Sequence, residues 1–235
     1  MKKNFKVFLV LYIFILYMFF LINLKNSYAE PTGANLIPGY SSRKPLPNAT
    51  NLTAQNGNIT WVTADLTQIT SIWQGFFGRV TGGIVLENSN GDVFYDWNVV
   101  DAVGEIIATR NFVSDWTKVN CTNQTEIYLE EERLNILNET SDGINDTFIY
   151  TSHPSFDIAG KFLSNCRATR THNSTNAQAV FWNVLLNTNS TNTIYTVLME
   201  NDKIGFNNTQ VDFQLLVPVD KLTGFATYFV YVELG

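Results

Sequence analysis

Short runs of β-branched and aromatic residues, polar and apolar in near alternation, recur through the second two-thirds of the sequence, with Gly, Asn, Asp, Ser and Thr between them. Such runs lie at residues 58–66, 79–86, 93–99, 103–109, 155–159, 177–186, 193–199, 211–217 and 225–234. A period of two places one set of side chains on a core face and the other toward water, which is the pattern of strands and not of helices. Eight or so strands with turn signals between them predict a mostly β fold, an antiparallel β-sandwich of Ig-like or jelly-roll-like form. The last run is apolar on both of its faces, which predicts a central strand buried on each side.

The clearest local unit is a hairpin. Residues 79–86 and 93–99 flank Glu87-Asn-Ser-Asn-Gly-Asp92, in which Asn90-Gly91 can take the positive φ angles of a tight turn. The same loop has the Asp, Asn and Gly content of a calcium loop, but it lacks the spaced carboxylates and closing Glu of one, so a plain turn is expected. Residues 177–186 and 193–199 form a second hairpin pattern around 187–191. Helical period occurs once, from about 123 to 137, where Asn123 with Glu126 has the form of a capping box and Ile127, Leu134 and Leu137 fall near one face. Glu130, Glu131 and Glu132 point in different directions on such a helix, and a solvated face is expected for them.

The N-terminus has the form of an export signal. Lys2, Lys3 and Lys6 precede an apolar run from 7 to 24 broken only by Asn23, and Ser27 and Ala29 stand where a signal peptidase reads small residues. This predicts an N-terminal hydrophobic helix in residues 1–29, cleaved after Ala29 or, since 18 apolar positions approach the length of a membrane span, kept as an anchor. The membrane is expected as a partner only through that segment. Residues 30–57, rich in Pro, Gly, Asn, Ser and Thr, read as a flexible leader or stalk, and 58–235 as a single β domain. Without residues 1–29 the chain keeps 11 basic against 21 acidic residues, a net charge of −10, which argues against nucleic acid as a partner.

Ten Asn-x-Ser/Thr sequons stand at Asn48, Asn51, Asn58, Asn120, Asn123, Asn138, Asn145, Asn173, Asn189 and Asn207. With 27 Asn, 25 Thr and 12 Ser, random placement yields roughly 4, so composition accounts for part of the excess and an exported glycoprotein for the rest. Cys121 and Cys166 are the only cysteines, and in an oxidising compartment they are expected to pair. Two buried free thiols are the alternative.

No nucleophile elbow, phosphate loop, dinucleotide fingerprint or zinc-protease motif occurs, and no cofactor or metal is expected. His153 and His172 lie in predicted loops with no second ligand at metal-binding spacing. Asp92, Asp96 and Asp101 are close in sequence and would be the carboxylates of a glycoside-type hydrolase, the least favoured function. The most distinctive string, Trp73-Gln-Gly-Phe-Phe-Gly78, admits two readings: a core corner, which is preferred, or a glycan-stacking platform using Trp73, Phe76 and Phe77, with Trp182 as a further exposed aromatic.

Taken together, Trp73-Gln-Gly-Phe-Phe-Gly78, Gly91-Asp-Val-Phe-Tyr-Asp-Trp97, Gly104-Glu-Ile-Ile-Ala-Thr-Arg110, His153-Pro-Ser-Phe156 and Tyr228-Phe-Val-Tyr-Val-Glu-Leu234 resemble a group of exported, sequon-rich archaeal cell-surface proteins of unassigned function. The resemblance covers about residues 58–235. It implies an archaeal cell envelope with surface-layer or filament association, and supplies no catalytic residues. The expected function is therefore that of an extracellular, N-glycosylated structural or interaction protein, not an enzyme. Its partners would be other envelope proteins or itself. A carbohydrate- or ligand-binding module is the alternative.

Overall fold

The computed structural model of the chain describes residues 30–45, 52–63, 69–97, 103–136, 140–172, 179–188 and 192–234. The expected N-terminal hydrophobic helix lies outside them, as do Asn48, Asn51, Asn138, Asn173 and Asn189. The strands are β1 (Thr32–Gly33), β2 (Trp73–Gly78), β3 (Ile84–Glu87), β4 (Val93–Trp97), β5 (Gly104–Thr109), β6 (Asn120–Cys121), β7 (Phe156–Ile158), β8 (Lys161–Leu163), β9 (Ala168–His172), β10 (Ala179–Asn187), β11 (Thr193–Leu198), β12 (Lys203–Ile204), β13 (Gln210–Val211), β14 (Phe213–Pro218) and β15 (Phe229–Leu234). Two helices interrupt them, α1 (Gln124–Arg133) and α2 (Ile144–Thr147).

Seven strands form one antiparallel sheet in the order β1, β15, β5, β11, β10, with β6 and β9 both beyond β10. β6 and β9 lie end to end. Cys121 sits opposite Leu186 and Ala168 opposite Val184, while Leu185 between them donates its N–H to Arg167 O at 2.8 Å and accepts from the Thr122 N–H at 3.3 Å. The edge of the sheet is thus one strand interrupted by an excursion of the chain from Thr122 to Asn165, which contains α1, α2 and the β7–β8 hairpin. Cys121 and Cys166 form the expected disulfide at the neck of that excursion, with Cα atoms 4.9 Å apart.

β5, β10 and β11 are paired on both sides and have a core layer packed on each face, so most of their side chains are buried. Ile106, Ala108, Phe181, Leu185, Tyr195 and Val197 face one core with Leu215 and Val217 of β14 and Ile127 and Leu134 of the α1 segment. Ile107, Val184, Leu186, Ile194 and Leu198 face a second with Val113, Trp116, Val119, Phe156, Ile158 and Leu163. Sheet therefore packs on sheet, as the alternation predicts, but unequally: seven strands face the two-stranded ribbon of β2 and β14, paired antiparallel from Phe213 opposite Gly78 to Pro218 opposite Trp73.

A buried amide joins the two layers. Asn183 of β10 is 1% exposed; its Nδ2 donates to Gln214 O at 3.0 Å and its Oδ1 accepts from Leu216 N at 2.9 Å. One side chain thereby fills two of the hydrogen-bonding positions that a neighbouring strand would fill beside β14.

Several expectations need correction. Residues 58–63 form no strand and are exposed, since a strand requires a partner and none of the described residues pairs with them; residues 64–66 of that run lie outside the described residues. β15 is not a central strand: beyond it stands only the two-residue β1, and Phe229 is open to solvent. Part of the leader is ordered by that pairing, with Thr32 opposite Val232 and Gly33 opposite Tyr231. Helix α1 begins with the expected capping box but stops at Arg133, because Asn135 turns into the left-handed region at φ 55°. A second short helix, α2, follows it.

Candidate functional site

The neck and the excursion carry three described sequons. Asn123 caps α1, its Oδ1 accepting from the Glu126 N–H at 3.0 Å while Glu126 Oε2 accepts from the Asn123 N–H at 2.8 Å. Asn145 of α2 presents Oδ1 to Gln124 Nε2 at 2.8 Å and to Arg167 Nη2 at 2.7 Å. Asn120 of β6 accepts from Lys161 Nζ at 2.6 Å and donates from Nδ2 to Lys118 O at 3.2 Å. Asn120 and Asn123 are exposed and Asn145 half-buried. At Asn123 and Asn145 the hydrogen bonds use the amide oxygen, so a sugar carried on Nδ2 would leave the cap and the Arg167 contact intact. The other described sequons are separate: Asn58 lies in the exposed segment just after the leader, and Asn207, at φ 56°, in an exposed 3-10 turn.

Behind this face the neck is anchored by His153, which is buried and not a freely exposed loop residue. Its Nε2 accepts from the Cys166 N–H at 2.9 Å and its Nδ1 donates to Pro154 O at 2.7 Å, which assigns the proton to Nδ1. His172 ends β9 in solvent.

The Glu130-Glu131-Glu132 run departs from its expected solvated face. Glu132 is exposed, whereas Glu130 and Glu131 are 1% and 3% exposed. Arg110, at the end of β5, binds Glu130 in a fork, Nε to Oε1 at 3.1 Å and Nη2 to Oε2 at 2.8 Å, with Arg133 Nη1 at 3.5 Å and the Tyr195 hydroxyl at 3.3 Å. Burial first, and the Glu130 charge second, push the Tyr195 hydroxyl well above its ordinary range. Glu131 instead accepts the Asn145 N–H at 2.9 Å and so caps the start of α2. Nothing local in the sequence announces either partner, since Arg110 and Asn145 reach the helix through tertiary packing.

A second acidic pair lies within the seven-stranded sheet. Glu105 of β5 and Glu233 of β15 are directly opposed across the ladder, and both are buried. Burial, then the Glu233 charge, then Asp157, push the Glu105 carboxyl up to about 8. Glu233 also titrates above its usual range, through burial, although both its oxygens accept the Ala159 N–H, at 3.0 and 3.2 Å.

The aromatic candidates separate. Trp73 is half-buried, donating from Nε1 to Asp142 O at 2.6 Å with its ring 5.9 Å from Phe148. Phe77 packs against Phe206 at 5.1 Å and Tyr40 at 6.3 Å, while Phe76, on the other face of β2, is half exposed. Trp182 is covered by the Arg170 guanidinium, 4.8 Å above its ring, and by Tyr150 at 6.0 Å.

No protein-family model matches the chain, and no curated protein or solved structure matches it. Several large apolar side chains stand exposed on its surface.

The most unusual part of that surface is the β3–β4 hairpin. It forms around the expected turn, but its first strand begins only at Ile84 and residues 79–83 of the predicted run form no strand; Ile84 stands opposite Trp97, with a register shift at Leu86/Glu87, and only Gly91 of the turn takes a positive φ (84°). Asn88 Oδ1 accepts from the N–H groups of Asn90 and Asp92, which closes the loop as a turn. The hairpin belongs to neither layer of the core. Leu86, Tyr95 and Trp97 lie on one face and Val85 and Phe94 on the other, all exposed, Phe94 by 85%. Of the acids weighed for hydrolysis, Asp92 accepts from Asn88 Nδ2 at 2.8 Å in the turn, Asp96 faces solvent on β4, and Asp101 lies outside the described residues. Among the described residues no group of three or more His, Cys, Asp or Glu is placed to hold a metal ion.

Proposed function

We propose that this is an exported, N-glycosylated structural or interaction protein of a cell surface, joined through the β3–β4 hairpin to another copy of itself or to another envelope protein. The observation that carries the proposal is the hairpin, a two-stranded ribbon with large apolar side chains on both faces and no further strand paired to it among the described residues. Such a ribbon is marginal alone in water, and apolar surface of this kind marks a contact. The exposed segment 58–63, directly after the leader, adds to it, because Ile59 and Trp61 keep strand alternation while pairing with nothing among the described residues. A leader of that pattern can add a strand to a neighbouring subunit's sheet, which would give a filament.

Export and glycosylation rest on the N-terminal sequence, the disulfide, and the solvent-facing Asn58, Asn120, Asn123 and Asn207. The archaeal-type envelope in this proposal rests on the sequence resemblance alone. The decisive experiment compares the native protein with the double variant Phe94→Ser/Trp97→Ser. Loss of self-association or of envelope co-purification at unchanged melting temperature supports the reading; unchanged assembly overturns it. Deleting residues 30–63, which removes the leader together with Ile59 and Trp61, and examining the product by electron microscopy tests the filament form, which unaltered filaments would rule out.

A further inference from the structure

We infer that the Asn120 sequon accepts its sugar only before β6 docks on β10 and Cys121 joins Cys166, so that its occupancy is decided during folding and not on the finished surface. This rests on the glycosylation reading above and concerns the order of events at one of its sites.

An oligosaccharyltransferase reads the hydroxyl of Asn-x-Thr together with the asparagine amide, so both side chains must be presented to it on one accessible stretch of chain. The Asn120-Cys121-Thr122 sequon fails this in the folded state at each of its three residues. Asn120 is paired in the ladder opposite Asn187, and its side chain is tied at both ends, to Lys118 O and to Lys161 Nζ. Cys121 is the middle residue of the sequon and is covalently fixed to Cys166. Thr122 is 4% exposed, its hydroxyl is buried, and its N–H is held by Leu185 O. The asparagine thus stands on the surface while the hydroxyl that licenses its modification stands inside.

No other described sequon is arranged this way. Thr60, Thr125 and Thr209, which complete the sequons of Asn58, Asn123 and Asn207, are exposed, and Thr147 of the Asn145 sequon is half-buried. The transfer itself is ordinary. Asn120 Nδ2 forms a bond to the sugar C1 of a lipid-linked phosphosugar donor, the C1–O bond to the lipid phosphate breaks, and the amide gives up one proton as the lipid phosphate leaves. Folding removes access, not chemistry. The disulfide and the sugar therefore compete in time. Forming the disulfide closes the neck before transfer; an early sugar on Asn120 replaces one Nδ2 hydrogen and remains compatible with the exposed position of the side chain.

The test uses the full-length chain purified in detergent from a host without N-glycosylation, oxidised and folded, beside short peptides spanning the same sequons. Both are treated with an oligosaccharyltransferase and a lipid-linked oligosaccharide, and glycopeptides are quantified by mass spectrometry. Relative to its peptide, Asn120 in the folded chain should be modified at least about tenfold less, because reaction must wait for local opening, while Asn58 and Asn123 stay within about twofold of theirs. Equal modification of Asn120 and Asn58 in the folded chain overturns the inference. Failure of every sequon even as a peptide overturns the glycosylation reading itself, and this inference with it.

Discussion

Replacing Asn183 tests whether one amide joins the two layers of the fold. In Asn183→Leu the side chain keeps a similar size but neither hydrogen-bonding group. The Leu216 N–H loses its 2.9 Å acceptor, and Gln214 O loses its 3.0 Å donor but keeps the Thr171 hydroxyl at 3.3 Å. An orphaned buried N–H costs about 1–3 kcal/mol and a partly satisfied carbonyl about 1, so the variant should lose about 2–4 kcal/mol. For a domain of this size that corresponds to roughly 5–15 °C in melting temperature. Asn183→Asp sharpens the test. Its carboxylate still accepts from Leu216 but repels Gln214 O and carries a buried charge, so at pH 8 it should be worse than leucine. Protonation at low pH restores a donor, so the aspartate variant should recover part of its deficit on acidification while the leucine variant does not. Calorimetry across pH measures both. A leucine variant melting within about 1 °C of the parent, or aspartate and leucine variants with identical pH profiles, would refute the bridging role.

Two further perturbations address the buried charges. The Glu105 carboxyl, pushed up to about 8 from its usual 4.5, binds its proton more tightly in the folded state, so stability should be greatest below about 4.5, fall as pH rises toward 8 and level off above. Glu105→Gln, which mimics the protonated form, should flatten that slope and melt higher than the parent at pH 8.5, by up to about 4 kcal/mol; an unchanged slope in calorimetric melts would count against the assignment. Arg110→Ala removes the fork and leaves the buried Glu130 carboxylate with the Tyr195 hydroxyl at 3.3 Å and Arg133 at 3.5 Å, at a cost of about 2–4 kcal/mol in urea unfolding. The double variant Arg110→Leu/Glu130→Leu should recover part of it, and strict additivity would show that the pair is not coupled.

What could be read without coordinates was local. The strands at 103–109, 193–199 and 211–217 fall within a residue or two of β5, β11 and the β13–β14 stretch, because alternation over so many positions admits one burial pattern. The capping box at Asn123 and Glu126 formed as written, since its donors and acceptors are three residues apart. The misses share the opposite property. Residues 58–63 have a strand's pattern without a strand's neighbour, and Glu130 and Glu131 have a solvated helix's chemistry with a buried helix's surroundings. Trp73 was open to both a core and a surface reading, and Asp142 and Phe148, far along the chain, are what half-bury it.

The sequence by itself determined the class of fold, the hairpins, the helix start and, through Cys121 and Cys166, which two points of the chain are joined. Those depend on short-range periodicity, on capping geometry and on there being one possible pair. Tertiary structure alone decided that β6 and β9 are one interrupted edge strand, that Asn183 completes the edge of β14, that the β3–β4 ribbon is left outside the core, and that Thr122 is inside while Asn120 is outside. Each of these is a matter of which distant segment arrives beside a residue, and burial belongs to that encounter and not to the residue type.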